Sequence, residues 1–539
     1  MALALAGAVR NENVRRVELA WGAAIAAEWA HFVALGVFAY DHGGTSAVGV
    51  AGLVRLLPAA VVAPFAASLG DRFRRERFLL AMTLLGATAL AGSAAAFFAD
   101  QRILVFGFAA VLGLASTLFR PALQALLPSL ARTPEELIAA NGATSTVESL
   151  GTLLGPLLAG ILVSLADVGV VFAVGAAALL VAATLLSRVR VEGRIELAAG
   201  AGDARRLVLT GVRSIWRASG APVLVGLLAA QGFVRGCLNV LIVVAAFRVF
   251  HTGAGAVGYM TAAMGVGGLI GAVGAMTLGG RRLAVPFGLA LVFWGVPIAL
   301  IAPRPELAAA LVLLAIVGAA NSVEDVSVFT LLQRIIPDQI LTGVLGVVWG
   351  LGMGAVALGS IAAPAVVKGI GPRPAFAVVG SILPLLTLLA YRRLVMIDQS
   401  IAPVPELELI ERVPMFAPLS VAAKERVAAN LVPRSVQAGE LVIRAGDSGD
   451  CFYIVGDGEF DIDVNGRHST AGEADYFGEI ALLRDVPRTA TVKALVDSHL
   501  FALQREDFLA AVTGHSVAHA AGHAVAEARL RRGRWPQDS

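Results

Sequence analysis

Charge is scarce in this chain, and lysine and cysteine are scarcer still. Asp, Glu, Lys and Arg make up 15% of its 539 residues, against about 25% in ordinary soluble domains. That deficit, with 57% hydrophobic residues and a mean hydropathy of +0.79, excludes a protein soluble throughout. Two cysteines exclude a disulfide scaffold and any cysteine-rich metal or iron–sulfur site. Lysine occurs only at 368, 424 and 493, so nearly every cation is arginine. A formal charge of +3 written in arginine amid abundant Ala, Val and Gly reflects compositional bias, and no nucleic-acid partner is expected. The first apolar run follows Arg10, Arg15 and Arg16 and continues to about residue 40 without a small-residue cleavage site, so it reads as a span and not as a signal peptide.

What is present is a series of apolar windows, each long enough to cross the hydrocarbon core. They fall at about 17–40, 46–69, 77–99, 103–127, 137–165, 168–187, 221–248, 255–279, 283–302, 306–335, 340–367 and 374–394. These twelve predict an α-helical membrane protein in two six-helix halves, with membrane lipid as its surroundings. The cations sort by loop. One side holds Arg10, Arg15, Arg16, Arg72, Arg74, Arg75, Arg77, Arg132, the cluster from Arg188 to Arg217, Arg281, Arg282, Arg334, Arg392 and Arg393. The other holds Arg102, Arg304, Lys368, Arg373 and, at its edge, Arg248. The positive-inside rule makes the first side cytoplasmic. Both termini are therefore expected in the cytoplasm, on a multi-pass protein of the inner membrane. Near residue 395 the text turns polar and alternating. The resulting organisation is a half over 1–187, a cytoplasmic loop over 188–220, a second half over 221–395, a linker over 396–405, a β-rich domain over 406–525 and a tail over 526–539. Leu123-Gln124 to Pro128 and Leu332-Gln333 to Pro337 retain a trace of duplication between the halves.

Between spans two and three, Ala67-Ser68-Leu69-Gly70-Asp71-Arg72-Phe73-Arg74-Arg75 resembles the G-x-L-A-D-R-x-G-R-R loop of the major facilitator superfamily, with Ala67 and Arg74 replacing two glycines. The resemblance implies an inner-gate latch, with Asp71, Arg72 and Arg75 in the gating motif, in which Asp71 pairs with cations and caps a neighbouring helix; the alternative is that Arg74, Arg75 and Arg77 are only topology signals. In span five, Gly142, Gly151, Gly155-Pro156 and Ala159-Gly160 resemble the signature of proton-coupled exporters in that superfamily, where small residues let helices approach and Gly-Pro bends the span. Phe119-Arg120-Pro121-Ala122, continuing to Pro128, and Ala140-Asn141-Gly142 are similar to the branch with siderophore exporters and macrolide efflux pumps. The resemblance implies alternating access by two rocking halves and a small-molecule substrate. Ionisable residues inside spans are expensive and so are candidates for function: Glu28 and His31 in span one, Arg55 in span two, Arg120 in span four, Glu148 in span five, Arg235 in span seven, and Glu324 and Asp325 in span ten. A carboxyl desolvated in mid-membrane can carry a proton. Glu28, helped by His31, and Asp325 or Glu324 are the expected coupling acids, with interhelical pairs to Arg120 and Arg235 as the alternative.

Residues 434–503 alternate between apolar and polar around turn glycines, which predicts a small antiparallel β-roll, with helical stretches at about 406–430 and 505–530. Within it, Phe477-Gly478-Glu479-Ile480-Ala481-Leu482 and, beyond Pro487, Arg488-Thr489-Ala490-Thr491-Val492 resemble the phosphate-binding cassette of cyclic-nucleotide-binding domains. The resemblance implies cAMP or cGMP as a regulatory ligand. A short helix starting at Gly478 would aim free N–H groups at the phosphate, Arg488 would pair with its oxygens, Glu479 would accept the ribose 2′-OH, and amides around Ala481, Leu482 and Ala490 would complete the cradle. Thr489 does not decide the base. His515, His519 and His523 repeat on one helical face. No carboxylate or cysteine is placed to complete a zinc site there, so no metal or other cofactor is expected and the helix reads as a lid. There is no pore signature of a nucleotide-gated channel, no chain for a helix-turn-helix after the lid, and no hydrolase motif. The leading expectation is a non-enzymatic, nucleotide-regulated exporter, monomeric or homodimeric. A domain kept only for structure or oligomer contacts is the alternative.

Overall fold

In lipid a chain must satisfy its own backbone hydrogen bonds, and helices do this within a single segment. The computed structural model describes residues 11–63, 74–130, 134–189, 204–218, 220–275, 282–303, 305–336, 338–400, 406–417, 419, 424 and 427–513. The chain divides into two compact units, Met1–Ser400 and Ile401–Ser539. In the first, α1 (Glu12–Val62) is continuous except at Gly43 (φ −163°, ψ 16°) and Gly44 (φ 61°, ψ −152°). Those two residues turn it into a hairpin of two rods. There follow α2 (Arg75–Phe98), α3 (Arg102–Leu130), α4 (Pro134–Leu165), α5 (Val168–Leu186), α6 (Ala204–Arg217), α7 (Ala221–Arg248), α8 (Gly255–Ala275), α9 (Ala284–Leu300), α10 (Leu307–Ile335), α11 (Asp338–Ile370) and α12 (Pro372–Ser400). Ten of these helices are long and apolar enough to cross a membrane, and α9 is an apolar helix of 17 residues. With α1 counted as two rods, the described residues hold the twelve crossings expected from hydropathy.

Two elements differ from expectation. The range 188–220 is not loop throughout, because α6 forms there. The range 396–405 begins as helix, because α12 runs to Ser400. The second difference has a cause in Asp398. This residue is 4% exposed, and its two carboxylate oxygens accept the free N–H groups of Ala284 (2.7 Å) and Val285 (2.9 Å). It therefore caps α9, whose own N-cap position, Leu283, offers no side-chain acceptor. One residue earlier, Ile397 packs on Gly220 at the start of α7, where a Cβ would lie 2.7 Å from Ile397 Cγ1. Asp398→Ala is expected to cost about 1–2 kcal/mol and to lower the unfolding temperature of the detergent-solubilised protein, with Asp398→Asn recovering part of the loss.

The bundle has an Arg-rich end, where α1 starts, and an Arg-poor end, where it turns. Among the described residues, the close approaches between the halves run from mid-span to the Arg-poor end. Gly160 on α4 faces Gly255 and Gly258 on α8, and Gly49 and Gly52 on α1 face Ser360 and Pro364 on α11. Tyr40 stacks on Phe247 at 4.4 Å, and its hydroxyl accepts from Arg248 Nε at 3.0 Å. Small residues put backbone against backbone here, the arrangement that favours helix association in lipid.

The second unit is a pair of antiparallel four-stranded sheets, in the orders β1-β8-β3-β6 and β2-β7-β4-β5. Its strands are β1 (Val432–Val436), β2 (Leu441–Ile443), β3 (Cys451–Asp457), β4 (Phe460–Val464), β5 (Arg467–Ala471), β6 (Tyr476–Phe477), β7 (Thr491–Ala494) and β8 (Ser498–Gln504). Val436, Phe460, Phe477, Val492 and Leu500 fill the space between the sheets. Helices α13 (Leu407–Arg412) and α15 (Arg505–Thr513), with the turn Pro414–Phe416, cover one side, where Ile410, Phe416 and Phe508 join the core of Phe452 on β3. A short α14 (Glu479–Arg484) interrupts the strands between β6 and β7.

Candidate functional site

β6 delivers the chain to Gly478, whose φ of 96° lies in the left-handed region that glycine alone adopts readily. Space requires glycine here too, since a Cβ would sit 2.7 Å from Arg488 Nη1. Arg488 is held at its backbone on both sides: its N–H donates to Asp447 O and its carbonyl accepts from Gly446 N–H, each at 2.8 Å. Its side chain is 4% exposed. Nη1 donates to Gly478 O (3.2 Å), and Nη2 donates to Cys451 O (2.8 Å) and Asp450 Oδ1 (3.1 Å). The guanidinium also lies 5.9 Å from the centre of the Tyr453 ring. Burying a cation is costly without a charged partner. Here the partner, Asp450, is 77% exposed, so the charge is balanced from the solvent side.

The other cassette residues differ in exposure. Glu479 opens α14 and is 1% exposed. Ala481 and Leu482 are buried, with Leu482 in the core beside Phe452. Ile480 and Ala490 are half-buried, and Thr489 is exposed. Burial pushes the Cys451 thiol up from its ordinary range and Asp450 adds to the effect, so this buried thiol stays neutral beside the guanidinium. Asp450 was not legible from the motif. It lies on the exposed side of Arg488, where it would compete with an anion for the guanidinium. Asp450→Asn is expected to tighten binding of a cyclic phosphodiester about two- to fivefold, the worth of one exposed ion pair. Calorimetric titration checks this, and weaker binding would mean that Asp450 positions Arg488 instead of competing for it.

In the membrane unit the structure sorts the candidate ionisable groups. Glu28 Oε1 accepts from Arg55 Nη2 at 2.9 Å, in place of the expected partners Arg120 or Arg235. The reason is depth: the two residues lie on either side of the Gly43–Gly44 turn, about 22 Å and about 17 Å along their rods, close enough in level for two long side chains to meet. Arg55 also lies over the Phe32 ring at 5.3 Å. His31 is 1% exposed, sits 5.3 Å from the Phe172 ring, and neither ring nitrogen has a partner. Glu324 is fully buried, and neither carboxylate oxygen has a hydrogen-bond partner. Asp325 and the half-buried Arg235 lie within its electrostatic reach. Asp325 itself accepts from Asn321 Nδ2 at 2.9 Å, while Asn321 Oδ1 accepts from Trp294 (3.2 Å) and Gln231 (3.3 Å). Glu148 is half-buried on α4. The Arg120 side chain, Asp71, Arg72 and the three histidines lie outside the described residues; Arg75, at the start of α2, is half-buried.

Gly151 and Gly155 lie against Ile25, Ala26 and Trp29 of α1, and Pro156 O faces Gly258 of α8. The span-five motif thus packs α4 on α1 with one set of glycines and on the opposite half with its end. Glu18 escaped the sequence reading because it stands at the edge of the first window, next to Arg15 and Arg16. It is 6% exposed and accepts from Thr144 Oγ1 at 2.5 Å. Gln231, Asn321 and Trp294 were missed because an amide or an indole in a span carries no charge to mark it.

The described fold and these sites can be set against known proteins. Residues 19–357 match the family model described as Major Facilitator Superfamily. The chain belongs to the Major Facilitator Superfamily. It is a multi-pass membrane protein, and its fold is similar to the crystal structure of the nucleoside transporter NupG, with a TM-score of 0.62 and 11% identity over 71% of this chain and 99% of that one. At that identity the likeness shows the fold alone. Residues 433–515 match the family described as Cyclic nucleotide-binding domain, so this facilitator carries such a domain at its C-terminal side. The same region is 36% identical over 102 residues to a cAMP-dependent protein kinase type II regulatory subunit of Drosophila melanogaster, covering 19% of this chain and 27% of that protein. It is 41% identical over 88 residues to a cAMP-dependent protein kinase regulatory subunit of Schizosaccharomyces pombe, covering 16% and 21%. The facilitator spans about a quarter of the length of these curated relatives.

Proposed function

We propose that this facilitator is a secondary active transporter that exports a small amphipathic molecule in exchange for protons, and that cAMP or cGMP bound to its C-terminal domain regulates it. The observation that carries the regulatory reading is Arg488: a buried guanidinium, fixed at both sides of its backbone and paired, among the described residues, with one exposed carboxylate. A cyclic phosphate supplies the oxygens that Asp450 supplies here, and Glu479 beside it accepts the ribose 2′-OH. The similarity to regulatory subunits of cAMP-dependent kinases favours cAMP of the two. In the membrane unit, halves joined through small residues from mid-span to the Arg-poor end support alternating access, which needs an interface that can part without unpacking large side chains. The span-five motif supports export. The arginine distribution supports a cytoplasmic Arg-rich end and cytoplasmic termini in the inner membrane. Glu324, buried without a partner, is the first candidate for proton coupling, with Asp325 and Arg235 able to respond to its charge; Glu28 is held by Arg55.

Inverted vesicles test the whole reading. Under an imposed proton gradient they are expected to accumulate a fluorescent amphipathic cation, at a rate that saturating cAMP changes. Absence of proton-dependent accumulation over a panel of such probes removes the export reading. Accumulation indifferent to both nucleotides removes the regulatory one. A ligand acts on the gate only through its differential affinity for two states, so the same vesicles should bind cAMP with an affinity that depends on the gradient.

A further inference from the structure

Among the described residues, nothing covers one face of the helix between the halves. α6 reads Ala-Arg-Arg-Leu-Val-Leu-Thr-Gly-Val-Arg-Ser-Ile-Trp-Arg, with four arginines and no acid. At about 100° per residue its described side chains fall into three sectors. Gly211 and Ile215 form the first. Both are buried, and Gly211 lies so close to α11 that a Cβ would stand 2.8 Å from Gly343 O. Leu209, Val212 and Trp216 form the second, an apolar stripe within about 60° of arc, and they are 59%, 39% and 76% exposed. Arg213 and Arg217, both exposed, form the third, on the side of the stripe away from α11.

The position of α6 says what covers the stripe. Gly343 is five residues into α11, about 8 Å from its start at the Arg-rich end, where the apolar stretch Gly343–Ile370 of that helix begins. A helix docked there by one flank, with an apolar stripe beside the docked flank and arginines beyond, has the order of surfaces of a helix lying in an interface: span, acyl chains, headgroups. Trp is the side chain that prefers this level, and arginines without a competing acid are complementary to anionic headgroups. We propose that α6 is a lipid-binding helix, inserting Leu209, Val212 and Trp216 into the leaflet at the Arg-rich end and holding anionic lipid headgroups with Arg213 and Arg217. Anionic lipid then anchors the one covalent connection between the two halves.

The test uses the full chain in vesicles. Both native cysteines are buried, so thiols introduced as Trp216→Cys, Leu209→Cys and, on the sector away from the stripe, Thr210→Cys take a fluorophore selectively. Labels at 216 and 209 are expected to be quenched by brominated phosphatidylcholine at least about twofold more than the label at 210, and to be shielded from iodide. Phosphatidylglycerol in the vesicles should deepen the quenching, and Arg213→Gln with Arg217→Gln should erase that gain. Labels at 209 and 216 open to iodide in both kinds of vesicle overturn the proposal. Shielding from iodide without quenching by brominated lipid also overturns it and assigns the stripe to a protein surface. Equal quenching with and without phosphatidylglycerol overturns the anionic headgroup. Retained quenching in Leu209→Cys, which keeps Trp216, separates insertion from any effect of removing the tryptophan.

Discussion

Arg488→Ala is expected to weaken cyclic-nucleotide binding by about a hundredfold or more. Two charge-assisted hydrogen bonds, each worth about 1.5–3 kcal/mol when one partner is ionised, are lost together. Calorimetric titration of the full chain with cAMP and then cGMP measures it. The variant also leaves the Gly478 and Cys451 carbonyls without their donor, so its unfolding temperature must be read alongside. Arg488→Lys keeps the charge but cannot reach both carbonyls and a phosphate as a planar fork does, and it should bind with intermediate affinity. Wild-type protein that binds neither nucleotide while unfolding cooperatively would leave the C-terminal domain as a structural appendage. Glu479→Gln separates the ribose contact from the phosphate contact, since it should lower affinity for the cyclic nucleotide and leave inorganic phosphate unaffected.

Glu324→Gln is expected to lower proton-driven accumulation about five- to a hundredfold, the span of an ordinary coupling free energy, without loss of stability. Glu324 has no hydrogen bond to lose, and removing a buried carboxyl that no hydrogen bond satisfies relieves a cost. Glu28→Gln should behave in the opposite sense. It strands Arg55, whose side chain is 11% exposed, and a cation left buried without its partner destabilises by about 3–5 kcal/mol. Thermal unfolding and vesicle accumulation, measured on both variants, therefore give two distinct signatures. Undiminished accumulation in Glu324→Gln would return the coupling role to Asp325 or to Glu28.

How much of this was legible follows from what each feature depends on. Crossings depend on local hydropathy, so the window at 221–248 and helix α7 coincide. The cassette depends on short-range spacing, and Gly478 and Arg488 meet because nine residues of helix and turn bring them together. Features set by pairing between distant segments were not legible. The Glu28–Arg55 pair needs the turn at Gly43–Gly44 to be placed before the two depths can be matched. Asp450 lies 38 residues from Arg488 and carries no motif of its own. α6 was hidden by composition: its arginines and glycine read as loop, although Leu209, Val212 and Trp216 carry a helical period. Asp398 was assigned to a linker because nothing local marks it as the cap of a helix that starts 114 residues earlier.

Asp398 and its neighbour Ile397 make the end of α12 a mechanical junction. Among the described residues they are the last buried side chains of the membrane unit, and their contacts reach the first turns of α9 and α7. A force on the last turn of α12 is therefore delivered to three helix ends at once. The end of α12 is thus a lever already geared to α7 and α9, both in the second half of the bundle.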